Sequence, residues 1–142
     1  MIVLKSDQLY VEFQTLGGAL SSIKDKEGVE YLWQGDPTYW SGQAPVLFPI
    51  CGSVRNDTVL YDKEDGSQKE GKIPRHGLVR KKEFKVVGQT DNSVTFAIED
   101  DEEMYANYPY HFRLEIIYTL TGKTVRTQYK IYNKEAEKSM PY

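Results

Sequence analysis

Phe84-Lys85-Val86-Val87-Gly88-Gln89-Thr90-Asp91-Asn92-Ser93-Val94-Thr95-Phe96-Ala97-Ile98-Glu99 decides the fold class. Two runs rich in β-branched and aromatic residues flank Asp91-Asn92, and alternation at every second position is a strand period, not a helical one. Two turn residues between such runs predict a tight hairpin, with Asp91 and Asn92 accepting positive φ. Downstream, Tyr110, Phe112, Leu114, Ile116, Tyr118 and Leu120 fall on one face of an extended segment, opposite His111, Arg113, Glu115 and Thr119. Gly122-Lys123 turns the chain into a further extended run, Thr124 to Asn133. One short helical turn, Asp100 to Ala106, interrupts the pattern.

Toward the N-terminus the same period holds. Leu9, Val11 and Phe13 alternate with Tyr10, Glu12 and Gln14, and Gly17-Gly18 predicts a bend where a side chain would not fit. Leu20 and Ile23 resume the run, and the polar turn Lys24 to Gly28 leads into Val29 to Trp33 as a hairpin or meander. The reading is all-β: an antiparallel β-sandwich forming a single domain over residues 1–142.

Two stretches break the period. Residues 34 to 57 carry Pro37, Pro45 and Pro49, and Ala44-Pro45-Val46-Leu47-Phe48-Pro49-Ile50-Cys51-Gly52 is too apolar for a surface loop. It is expected beneath the sheet or lining a pocket. Asp62 to Gly71 is polar and reads as an exposed loop. The last residues, Met140-Pro141-Tyr142, follow a polar stretch without a cap, which reads as a truncation.

Composition narrows the function. Eighteen Lys and Arg against 21 Asp and Glu give a net charge of −3, with no basic block to serve nucleic acid or an anionic membrane. No run approaches the roughly 20 apolar residues of a membrane helix, and Met1 to Asp7 lacks the features of a signal peptide. A cytoplasmic protein is expected. A single cysteine, Cys51, excludes an intrachain disulfide and a Cys-based zinc site.

Candidate chemistry is sparse. His76, between Pro74-Arg75 and Gly77, reads either as a pocket group for hydrogen bonding or proton transfer or, more plainly, as a loop His making one structural hydrogen bond. His111 reads as a plain surface or inter-sheet residue. The two lie 35 positions apart with no HxH or HxxxH spacing, so no metal site is expected. The acidic run Glu99 to Glu103 lacks the spacing and central glycine of a calcium loop. Trp33, Tyr39 and Trp40, followed by Arg55-Asn56-Asp57, form a carbohydrate-like constellation of ring faces and polar groups. The plainer reading makes both tryptophans core or lid packing.

Gly17-Gly18-Ala19, Ala44 to Gly52, Pro74-Arg75-His76-Gly77-Leu78-Val79-Arg80 and Tyr108-Pro109-Tyr110-His111-Phe112 stand in the order seen in aldose 1-epimerases. In this the chain resembles the LacX-like branch of the galactose mutarotase family along essentially its whole length. The resemblance implies a large antiparallel sandwich that interconverts the α and β anomers of a free hexose. A His protonates the ring oxygen, a Glu takes the anomeric hydroxyl proton, and the open aldehyde recloses on either face. No cofactor is implied.

By the same resemblance, His76 corresponds to a pocket His that hydrogen-bonds sugar hydroxyls. Arg55 and Asn56 fall near a family Arg/Asn site in a shifted register, since Ser53 replaces its first Arg, and Arg80 closes the His-Gly motif as a further sugar-binding candidate. The family's catalytic His, its base Glu and a substrate Asp follow the Met-Pro-Tyr segment, beyond Tyr142, so no catalytic residue is assigned here. The expectation is an incomplete sandwich with little turnover alone. The alternative is a non-catalytic carbohydrate-binding or partner-binding β module. Exposed sheet faces predict a homo-oligomer, at least a dimer.

Overall fold

A computed structural model describes residues 2–63 and 65–142. The strands are β1 (Ile2–Lys5), β2 (Leu9–Gln14), β3 (Ala19–Asp25), β4 (Thr58–Asp62), β5 (Gln68–Lys72), β6 (Lys85–Gln89), β7 (Ser93–Glu99), β8 (Phe112–Thr121) and β9 (Thr124–Asn133). They form three antiparallel sheets, β1-β2-β3, β4-β5 and β6-β7-β8-β9. The single α-helix among the described residues, α1 (Glu102–Asn107), is short, and the Asp101 carboxylate caps it by accepting the Met104 N–H at 2.8 Å.

The alternation in β8 is realised completely: Phe112, Leu114, Ile116, Tyr118 and Leu120 are all buried. They meet Val11 and Phe13 of β2 and Val94, Phe96 and Ile98 of β7 in one core. Phe13 bridges the two larger sheets, its ring centroid 4.8 Å from Tyr118 and 6.0 Å from Phe96. Each such ring withdrawn from water contributes on the order of 1.5–3 kcal/mol before entropy is counted. The sheets are also tied by a polar contact, Tyr118 donating its hydroxyl to the Gly18 carbonyl at 2.9 Å. Burial pushes the Tyr118 phenol well up, so it stays a donor.

Gly17 and Gly18 do mark a bend. Both have positive φ, and a Cβ on Gly17 would lie 2.8 Å from the Arg80 carbonyl oxygen. The apolar stretch Ala44 to Gly52 lies where expected, with Val46 and Phe48 buried in the core and Ile50 packed against it.

Three local expectations are corrected. The β6–β7 turn closes with Thr90 N–H donating to Ser93 O, but neither Asp91 nor Asn92 has positive φ. The Thr90 hydroxyl accepts the Ser93 N–H, and a bulge between Val86 and Gly88 supplies the local twist. Asp62 to Gly71 is not all loop, because Gln68–Lys72 pairs with Thr58–Asp62 as β5, exposed side chains notwithstanding. The return at Val29 to Trp33 shrinks to one bridge, Lys24 to Glu30, because the Glu30 carboxylate leaves the ladder direction to take the Ser22 hydroxyl and the Ile23 N–H.

Candidate functional site

Two loops meet at the edge of the core. Residues 44–57 and 73–80 are joined by backbone hydrogen bonds from Leu78 N to Phe48 O (2.8 Å), His76 N to Gly52 O (2.8 Å) and Ile73 N to Asp57 O (2.8 Å). Phe48 and Val79 are buried beneath them. A Cβ on Gly77 would collide with the Phe48 carbonyl, so only glycine permits this approach.

His76 sits in the left-handed region at φ +73°, followed by Gly77 at +81°. A non-glycine residue there stores about 1–3 kcal/mol that its surroundings must hold. The holding contacts are two consecutive carbonyls: Gly52 O accepts the His76 backbone N–H, and Cys51 O accepts from Nδ1 at 2.5 Å.

Arg55 and Asn56 lie on the adjoining 3₁₀ turn, Arg55–Asp57, whose predecessor Val54 packs against the core. Asn56 and Asp57 have φ of 55° and 52°, which Asn and Asp tolerate better than other side chains. Both Arg55 and Asn56 are exposed, and among the described residues neither side chain makes a hydrogen bond or ion pair within the protein. The fold thus carries His76 and Arg55-Asn56 on directly hydrogen-bonded loops.

Arg80 is placed elsewhere. It borders a cleft of about 260 Å³ with Pro74, Gly77, Leu78, Lys82 and Met104, which His76 does not line.

The chain's last residues return to the floor of this region. Tyr108 donates its hydroxyl to Pro141 O at 2.7 Å, and the Tyr142 ring lies 6.4 Å from Phe48. Burial, with Tyr61 and Tyr110 nearby, raises the Tyr108 phenol far above its usual range. Its neighbour Tyr61 is pushed up to about 12, mainly by burial.

The aromatic loop is not core. Trp33 and Trp40 are 42% and 51% exposed, so the core reading of these rings is corrected. Trp33 donates its indole N–H to Trp40 O at 2.7 Å and packs edge-on against Tyr39. Gln43 anchors the loop to Ser21 O, and this tether holds it at the surface rather than under the sheet.

His111 is the surface residue expected. It pairs with Asp100 at 2.7 Å and stacks on Tyr105 with centroids 4.4 Å apart. The acidic run is consumed locally: Asp101 and Glu103 hold Lys82, and Glu99 pairs with Arg113. The groups sequence reasoning missed are the Cys51 and Gly52 carbonyls. A backbone oxygen is common to every residue, so no side-chain pattern signals one.

Architecture and site together define a class: an antiparallel β-sandwich protein presenting an imidazole, a guanidinium and an amide from two bonded loops. The chain belongs to the aldose 1-epimerase family, whose model matches residues 1–142. It is 56% identical over 141 residues to the chromosomal Protein LacX of Lactococcus lactis subsp. lactis, covering 99% of this chain and 47% of that protein. The plasmid Protein LacX of the same organism is 55% identical, with the same coverage. Among solved structures, a galactose mutarotase related enzyme from Lactobacillus acidophilus superposes with a TM-score of 0.86 at 30% identity, covering 94% of this chain and 43% of that one. A galactose mutarotase-like protein from Lactobacillus casei gives 0.87 at 28% identity, with 99% and 46% covered. The chain therefore spans about half the length of the relatives it matches. Among the described residues, no helix is long and apolar enough to cross a membrane.

Proposed function

We propose that residues 1–142 form a single β domain that binds a free aldose hexose at the loop pair carrying His76, Arg55 and Asn56, in the manner of one half of an aldose 1-epimerase. The observation that supports this reading is the backbone bonding of the two loops that carry His76, Arg55 and Asn56, the last two making no side-chain hydrogen bond or ion pair among the described residues. Sugars are recognised by such convergent donors and acceptors, with an apolar floor beneath. Arg80 stays a separate sugar-binding candidate on the neighbouring cleft with Pro74 and Leu78, which His76 does not line.

Anomer interconversion needs an acid and a base on opposite protonation states. In this reading both come from outside residues 1–142, and the groups within them bind and orient. No metal or organic cofactor takes part, and the compartment is the cytoplasm, where the Cys51 thiol stays reduced.

A partner-binding role has its own support. In β9, Thr127, Tyr129 and Ile131 are in register with Tyr118, Ile116 and Leu114 of β8, yet Tyr129 is 55% exposed. An uncovered continuation of a core face favours association, and we read it as the surface through which copies form at least a dimer.

Polarimetry of freshly dissolved α-glucose and α-galactose, with light scattering on the same sample, tests the proposal. A buffer-level rate accompanied by saturable sugar binding is the expected result. Turnover above buffer that falls in His76→Ala would place an acid–base pair within residues 1–142 and overturn it. Absence of any sugar binding would overturn the site.

A further inference from the structure

We infer that two copies of this chain pair antiparallel along the free edge of β9, joining their β6–β9 sheets into one continuous sheet with Tyr129 on the two-fold axis. The inference rests on the dimer reading above and specifies the edge, the register and the symmetry through which it forms.

The outer strands of a sheet carry unpaired N–H and C=O groups, and proteins blunt such edges with short strands, bulges or proline. In this sheet the outer strands are β6 and β9. β6 is blunted, being five residues long with a bulge between Val86 and Gly88. β9 is not. It runs ten residues in unbroken register with β8 and contains no proline.

The hairpin register says which backbone groups are free. Lys134 N–H donates to His111 O at 2.9 Å, one step past the Phe112–Asn133 pair of the ladder. Hydrogen-bonded and non-hydrogen-bonded pairs alternate along an antiparallel ladder. Arg126, Gln128, Lys130 and Tyr132 therefore exchange bonds with β8, while Val125, Thr127, Tyr129 and Ile131 turn theirs outward. Among the described residues, no backbone hydrogen bond outside the ladder reaches these four.

A second copy fits this edge because the strand complements itself in one register. An axis at Tyr129 sets Thr127 against the partner's Ile131 and Val125 against the partner's Asn133, all outward-facing positions. Charge selects that axis. It places Arg126 opposite the partner's Tyr132 and Lys130 opposite the partner's Gln128, so no two cations meet directly. An axis at Gln128 would oppose Arg126 to Lys130 twice, and one at Lys130 would oppose Lys130 to itself. Like charges directly opposite destabilise a strand pair. An axis at Thr127 runs the overlap into the Gly122-Lys123 turn and shortens it. With the axis at Tyr129, the ring that is 55% exposed in one copy meets its symmetry mate, a favourable cross-strand aromatic pair.

Cysteine cross-linking reads the register, in a Cys51→Ser background because Cys51 is exposed. Gln128→Cys chains mixed with Lys130→Cys chains and oxidised with copper phenanthroline are expected to form a disulfide-linked heterodimer. A directly opposed, non-hydrogen-bonded pair lies about 4.5 Å apart at Cα, within disulfide reach. Either variant linking mainly to itself would move the axis and overturn the proposal, as would a dimer that forms no mixed link. Amide hydrogen exchange on the unaltered chain gives a second reading. Thr127, Tyr129 and Ile131 should slow about tenfold or more between dilute monomer and dimer, whereas Gln128 and Lys130, already bonded to β8, should change less. A light-scattering dimer whose three amides exchange as in the monomer would overturn edge pairing and leave the dimer reading standing. Protection of the same amides in the monomer would show the chain covering its own edge, and would overturn the proposal too. A monomer at every concentration would overturn the dimer reading and this inference with it.

Discussion

The β6–β9 sheet and the loop pair at 44–57 and 73–80 occupy the same domain and obey different physics. In the sheet, each strand satisfies its backbone through its neighbours, and side-chain alternation alone decides which face is buried. In the loop pair, the backbone is irregular, and single carbonyls of Phe48, Cys51, Gly52 and Asp57 do the holding. The sheet is redundant, since losing one ladder bond leaves many. The loop pair is not, since each carbonyl has one task. Rigid redundancy beside a strained, singly supported loop is the usual division between scaffold and site.

Four substitutions probe that contrast, in decreasing order of expected effect on stability. Phe112→Ala removes a fully buried ring from β8 and should cost about 3–5 kcal/mol, read from urea or thermal melts. A loss below about 1 kcal/mol would mean the sheet is not the stabilising half. Gly77→Ala should cost about 2–3 kcal/mol, because the added Cβ meets the Phe48 carbonyl and the residue is left-handed. Here sugar affinity should fall together with stability, whereas Phe112→Ala should leave affinity intact in the molecules that remain folded.

Asp101→Ala should cost about 1 kcal/mol through loss of the helix cap. The carboxyl is held below its usual range first by the Met104 N–H and then by Lys82. A depressed carboxyl stabilises above its unfolded value and loses that contribution as pH falls through the folded one. Thermal melts of wild type and variant should therefore converge as pH falls below the ordinary Asp value of about 3.9. A gap that persists at low pH would show that the cap does not act through its charge. The smallest effect is Arg55→Ala, expected within about 0.5 kcal/mol of wild type in stability while galactose binding weakens several-fold by isothermal calorimetry. Unchanged binding would remove Arg55 from the site.

The face assignments of β2, β7 and β8 were legible because burial of one face imposes a period of two on the residues themselves. Gly17-Gly18 was legible for a related reason: two adjacent glycines mark a place where a Cβ has nowhere to go, and Arg80 O stands in that place. The β5 strand was not, because an edge hairpin held by backbone pairing alone leaves polar side chains free to look like a loop. The aromatic loop misled in the opposite direction, since ring hydrophobicity suggested burial and a Gln43 tether holds the rings outside.

Of the candidate site, the family motif named His76, Arg55, Asn56 and Arg80, and the structure distributes them over two places. His76 joins the Arg55-Asn56 turn across two backbone hydrogen bonds, whereas Arg80 borders the cleft beside Leu78 and Met104.

Residue order alone therefore determined the all-β class, the buried faces and the family, because periodicity and motif are written in side chains. Only the tertiary structure decided which nitrogen of His76 is committed, which loops bond to one another and which aromatics face water. Those outcomes depend on backbone carbonyls brought together from distant parts of the chain, and every residue carries the same carbonyl until the fold gives it a partner.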